Sequence, residues 1–184
     1  MTRKEFIGGA AALAASKGLA SLPGAAAKKP EEFRAVFLPW GHNMWGEALP
    51  EGLILLSPWV DVSMDNPEAA DLVSVEPLLH LDLMRVHGRW WAGALDVHDP
   101  RVSPLYGDMR GLPPVTLYCG TRELLCPDIR LCRDRLEAAG VEVALHIGRG
   151  LNHDYPLMPI PEAEAAFRGI SAMLEHCNSS PDGV

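Results

Sequence analysis

Short apolar runs alternating with amphipathic stretches constrain this chain more than any other feature. GLILLS at 52–57 is a continuous apolar run stopped by Pro58, and VTLYCG at 115–120 is a second. Both read as buried strands of a parallel sheet. VEVALHIG at 141–148 is a third strand. From Pro77 to about Gly93, Leu79, Leu83, Val86 and Trp90 recur at helical spacing, which predicts a helix with that stripe buried. Pro127 suits a first helical turn. Ile129, Cys132, Leu136 and Ala139 then line one side, and Gly140 supplies the stop. A last helix starts at Pro161 with Glu162 and Glu164 in its first turn, and its expected stripe is Ala163, Phe167, Ile170 and Leu174. Residues 60–75 and 94–114 are rich in turn formers and read as loops. This alternation predicts an α/β fold of three parallel strands with flanking helices.

Composition excludes some functions. The formal net charge is −8, the wrong sign for a protein whose main partner is nucleic acid. Four cysteines, at 119, 126, 132 and 177, form no CxxC pair and have no zinc spacing with histidine. They read as buried or incidental thiols.

Charge also divides the chain near residue 50. All four lysines (Lys4, Lys17, Lys28, Lys29) lie in the first 29 residues. Residues 1–50 hold six Lys/Arg and four Asp/Glu, a net of +2; the rest holds ten Arg and twenty Asp/Glu, a net of −10. Such a shift suggests two origins. Residues 1–27 have the layout of an export-signal-like leader: a basic start, an Ala/Gly run and small residues at Ala25–Ala27. TRKEFIGG is similar to a twin-arginine motif, with Lys4 in place of the second arginine. The run is too weakly apolar for a stable membrane span. A genuine leader implies export to the periplasm or medium; without it the expected location is cytoplasmic. Residues 28–50 read as a linker or foreign segment, with a short strand at 35–38. Trp40, His42 and Trp45 there suggest aromatics packed around a turn more than a sugar platform.

Ligands of open parallel sheets gather at the carboxyl ends of the strands. Glu123 follows the second strand and His153, in GRGLNHDYPL, follows the third. A carboxylate that orients an imidazole is the acid–base part of a hydrolytic triad. Asp128 is the alternative acid, although its first-turn position suits a dipole or capping role better. Asp154 is expected not to reach the ring of its own neighbour.

Five segments occur in order at natural spacing: SPWVDVSMDNP (57–67), SPLYGDMRGLPP (103–114), GTRELLCPD (120–128), LEAAGVEVALH (136–146) and GLNHDYP (150–156). Together they resemble the C-terminal part of an α/β-hydrolase of the hormone-sensitive-lipase-like esterase group, over about residues 51–176. The resemblance implies a partial α/β-hydrolase fold, preceded by a non-homologous N-terminal segment and followed by a tail at 177–184. It places Glu123 on the triad acid, usually aspartate in that family, and His153 on the triad histidine. It implies a small-molecule ester substrate and no cofactor. Trp59, Leu105, Tyr106 and Tyr155 are candidates to line the pocket.

The family's nucleophile lies on a GxSxG elbow, and these 184 residues contain none. Ser16 and Ser21 lack the flanking glycines, and Ser57 is followed by Pro58, which opposes a turn into a helix. An HGG-type oxyanion loop is also missing from the sequence. Loss of a triad nucleophile costs on the order of 10⁶ in turnover. The expectation is therefore a carboxylesterase-type hydrolase by descent, inactive as this chain alone. The alternative is a non-catalytic small-molecule-binding or interaction module derived from an esterase. Open strand edges further predict marginal stability, aggregation or a homodimer through Gly52–Ser57.

Overall fold

The computed structural model describes residues 50–179, with side chains to Leu174. The expected leader at 1–27, the strand at 35–38 and the Trp40/His42/Trp45 cluster lie outside the described residues, as do all of the 28–50 segment but Pro50 and the end of the tail.

Seven regular elements follow one another among the described residues. They are β1 (Leu53–Leu56), α1 (Glu68–Leu72), α2 (Leu81–Ala92), β2 (Val115–Gly120), α3 (Cys126–Ala138), β3 (Val143–Gly148) and α4 (Pro161–Ser179). Short 3₁₀ turns lie at Pro104–Tyr106 and Tyr155–Leu157. The sheet has the order β1-β2-β3 and is parallel throughout. Leu53 pairs with Val115 and Val115 with Val143, so the three strands start level.

Only the central strand is buried along its whole length. β1 is half-buried, not fully buried as its apolar run suggests, because it has one neighbour instead of two among the described residues. Side-chain alternation divides the core between the two faces. Leu53, Leu55, Val115, Leu117, Cys119, Val143 and Leu145 face one side, where Ile129, Cys132 and Leu136 of α3 pack against them. Ile54, Leu56 and Tyr118 face the other, against Tyr155 and α4 residues Ala166 and Ile170. Burying a Leu or Ile here contributes roughly 1.5–3 kcal/mol each.

The helices exist where periodicity places them, but α2 buries a different face, and in α4 Ala163 and Ile170 pack inward as expected while Phe167 does not. In α2 the buried residues are Met84, Gly88 and Ala92, while Leu83 and Trp90 are exposed. An ideal Cβ on Gly88 would stand 1.9 Å from the Val62 carbonyl oxygen, so the helix rests on backbone through its smallest residue. In α4 Ala163 and Ala166 are buried and Phe167 is exposed. The segment 60–75 is not all loop, since it contains α1. No helix among the described residues is long and apolar enough to cross a membrane.

Candidate active site

The parallel register brings the carboxyl ends of β2 and β3 side by side, and the loops that leave them are stapled together. Thr121 N–H donates to the Gly148 carbonyl at 2.9 Å, Arg122 N–H to the Leu151 carbonyl at 3.0 Å, and Gly150 N–H to Thr121 Oγ1 at 2.8 Å. Gly120 makes this approach possible: an ideal Cβ there would lie 2.2 Å from the Leu151 carbonyl oxygen. The stapled loops place Glu123 Oε2 3.2 Å from His153 Nδ1. Thirty residues of sequence separation are thus closed by two adjacent strand ends.

Glu123 has no solvent exposure. Gly120 N–H donates to its Oε1 at 3.3 Å. Burial pushes its carboxyl pKa up, against the lowering effect of His153, Ser57 and the Gly120 amide. Burial pulls the His153 pKa down, but the Glu123 hydrogen bond and the charges of Asp154, Glu123 and Glu76 outweigh it, and the net shift is upward. With Glu123 ionised, Nδ1 carries the proton and donates, since a carboxylate only accepts. Nε2 is then the basic nitrogen.

Asp154 meets that nitrogen. Its Oδ2 lies 3.4 Å from His153 Nε2, contrary to the expectation that it could not reach its neighbour's ring. The reason is backbone conformation: Asp154 is left-handed at φ 54, ψ 31, which turns its side chain back over the imidazole. Ser57 holds this conformation from across the sheet, its Oγ accepting from Asp154 N–H at 2.9 Å. Ser57 is itself at φ 41 and buried. Two of the three non-glycine residues with positive φ among the described residues are therefore bonded to each other beside the Glu123–His153 pair. In the sequence, a serine between a strand and a proline was the one signal for Ser57.

The alternative acid lies elsewhere. Asp128 is buried and accepts from Asn66 Nδ2 at 2.7 Å, tying α3 to the segment after β1. It caps nothing, since the α3 N-terminus has no side-chain cap. Of the pocket candidates, Leu105 and Trp59 pack in the cluster on the α3 side and Tyr155 in the cluster on the α4 side. Tyr106 is exposed at its edge, and its hydroxyl donates to buried Asp61 at 2.8 Å. Ser103 is structural: its hydroxyl accepts from Val62 N–H and donates to the Val97 carbonyl. Among the described residues no cluster of three or more His, Cys, Asp or Glu side chains could hold a metal ion.

A buried acid followed in the chain by a histidine, on loops at adjacent strand ends of a parallel sheet, matches the order acid then histidine of α/β-hydrolase triads. The family model for the alpha/beta hydrolase fold matches residues 25–157, taking in the stretch from 28 to 50 as well. An esterase of Acinetobacter venetianus RAG-1 is 30% identical over 128 residues, covering 68% of this chain and 42% of that protein. A solved hormone-sensitive-lipase homologue from a metagenome library, EstE7, superposes with a TM-score of 0.70 at 28% identity, covering 73% of this chain and 47% of that one. A solved esterase of the bacterial hormone-sensitive lipase family gives 0.67 at 29% identity, covering 70% and 44%. The chain belongs to the α/β-hydrolase family, on the side of its hormone-sensitive-lipase-like esterases. It spans less than half the length of the relatives it matches.

Proposed function

We propose that Glu123 and His153 are the acid and general base of a carboxylic-ester hydrolase. The observation that carries this reading is the 3.2 Å contact between a fully buried carboxylate and an imidazole at the ends of neighbouring strands. Backbone strain at Ser57 and Asp154 supports it, since such strain clusters at functional sites. In the reaction His153 takes the proton of a hydroxyl nucleophile on Nε2, while Glu123 stabilises the imidazolium that results. Asp154 must swing off Nε2 first, because a carboxylate beside Nε2 favours its protonated form, which cannot accept a further proton.

The nucleophile has no counterpart in the 184 residues, which contain no GxSxG elbow. We therefore propose that this polypeptide by itself turns over esters on the order of 10⁶-fold more slowly than a family member with a complete triad. A fluorophosphonate probe and a short-chain p-nitrophenyl ester test this on the purified chain. The expected result is no labelled serine and no turnover beyond that of His153→Ala. Turnover at an ordinary family rate overturns the missing-nucleophile reading. If that turnover survives in both His153→Ala and Glu123→Gln, the acid–base assignment falls as well.

Location follows the leader, which we propose directs export. N-terminal sequencing of protein recovered outside the cytoplasm tests it, with a new terminus after Ala27 expected and intact Met1 confined to the cytoplasm counting against it.

A further inference from the structure

Two thiols that the esterase reading does not use lie side by side: Cys119 Sγ and Cys126 Sγ are 3.6 Å apart. Cys119 sits near the end of β2 and Cys126 opens α3, so each is anchored in a regular element. The loop between them is the one that presents Glu123. It is held by backbone bonds from Glu123 N–H to the Gly120 carbonyl at 3.5 Å and from Cys126 N–H to the Glu123 carbonyl at 3.1 Å. A disulfide needs its sulfurs about 2.05 Å apart, an approach of roughly 1.5 Å from here.

The two thiols differ. A surface cavity of about 300 Å³ has Cys126 in its wall, with Thr121, Pro127 and Arg130 beside it. The hydrogen bond from Cys119 and the Arg130 guanidinium hold the Cys126 thiol below the ordinary thiol range, against its burial. Cys119 is pushed the other way, by that same bond and by burial. Cys132, on α3 but deeper, is pushed up to about 12 by burial and stays protonated. Glu68 and Asp71 also line the cavity. Their carboxylates oppose an anionic oxidant, whereas a small neutral hydroperoxide meets no such barrier. One water occupies about 30 Å³, so the cavity admits a molecule of that size easily.

We propose that Cys126 and Cys119 form a hydroperoxide-responsive dithiol, Cys126 attacking the oxidant and Cys119 resolving it into a disulfide across the Glu123 loop. In the first step the Cys126 thiolate attacks one peroxide oxygen. An S–O bond forms, the O–O bond breaks, and the departing oxygen leaves as water after protonation. In the second step Cys119 sulfur attacks the sulfenic sulfur. The S–S bond forms, the S–O bond breaks, and the hydroxyl leaves as water with the Cys119 proton. Two thiols lose two electrons and hydrogen peroxide gains them, giving one disulfide and two waters. This inference is independent of the esterase reading, since it stands on the thiol pair and the cavity.

The test uses the full chain, folded, with a few equivalents of hydrogen peroxide, quenched by N-ethylmaleimide and digested for mass spectrometry. The expected product has lost two hydrogens and yields a linked peptide joining Cys119 to Cys126, reversed by dithiothreitol. Cys119→Ser is expected to stop at a Cys126 sulfenic acid that dimedone captures. Two unlinked thiols after peroxide treatment of the unmodified chain overturn the proposal. So does linkage through Cys132 or Cys177, or dimedone capture at Cys119 in Cys126→Ser with none at Cys126 in Cys119→Ser.

Discussion

At the scale of single residues, His153 is an imidazole between two carboxylates, and that sets how it titrates. Its folded-state pKa lies above the ordinary 6.5, so its contribution to stability is fully present below about pH 6.5 and is lost as pH rises through the folded value. Glu123→Gln removes the partner on Nδ1, and an NMR titration of the His153 ring is expected to show a lower pKa. The same variant is expected to cost about 1–3 kcal/mol at pH 6, where the imidazole is charged. Asp154→Asn is expected to lower the pKa too, while freeing Nε2; an unchanged titration in both variants would mean that the carboxylates do not govern the ring. Asp128 titrates with the same sign. Burial first, and then the charges of Asp61 and Glu68, raise it from 3.8 to about 6, against the Asn66 hydrogen bond and Arg135. A carboxyl with a raised folded pKa stabilises the fold below the unfolded value and loses that contribution as pH rises through the folded one. The unmodified chain is therefore expected to lose on the order of 2–3 kcal/mol between about pH 4 and pH 7 from this group, and Asp128→Asn to flatten that slope in urea melts. An unaltered slope would place the titration elsewhere.

At the scale of elements, sequence reading succeeded where it depended on pattern and failed where it depended on contact distance. Three strands and three long helices were legible because apolar runs and helical spacing are properties of the chain alone. So were Glu123 and His153 as a pair, because each follows a strand in a parallel sheet. The buried face of α2 and the exposure of Phe167 in α4 were not legible, and for one shared reason. Counting large apolar residues points to Leu83, Trp90 and Phe167, whereas α2 lies so close to the Val62 carbonyl that only Gly88 fits, and α4 buries Ala166 in place of Phe167. Close packing selects small side chains, which a hydrophobic stripe undercounts. Asp154 escaped prediction because its left-handed backbone is imposed by Ser57, 97 positions away. Gly88→Ala should cost about 1–3 kcal/mol or more by overpacking, and Leu83→Ala less than about 0.5 kcal/mol. Urea midpoints for the two variants check it, and the reverse order would restore the face that periodicity suggests. Gly120→Ala tests the other close approach: its Cβ would push on the Leu151 carbonyl and part the stapled loops, so the His153 ring signals should move even where the fold survives.

At the scale of the whole molecule, the sheet raises a question of edges. β1 pairs with β2 on one side, and among the described residues nothing pairs with it on the other. Leu53 and Ser57 direct their amides at the Pro114 and Tyr118 carbonyls of β2 and its approach. Strand alternation then turns the amides of Ile54 and Leu56 outward. A strand edge that nothing covers is a template for another strand, and a second copy of the chain offers the same row in return. We predict that the 184-residue chain associates through Gly52–Ser57. Hydrogen exchange distinguishes this from other contacts. The Leu55 amide, facing β2, should exchange slowly at every protein concentration. The Ile54 and Leu56 amides should exchange quickly when dilute and become protected as concentration rises, in step with a shift to dimer or larger species in light scattering. Protection of Ile54 and Leu56 that is complete in a strictly monomeric sample would mean that the edge is already covered within one chain, and dimerisation through β1 would then be excluded.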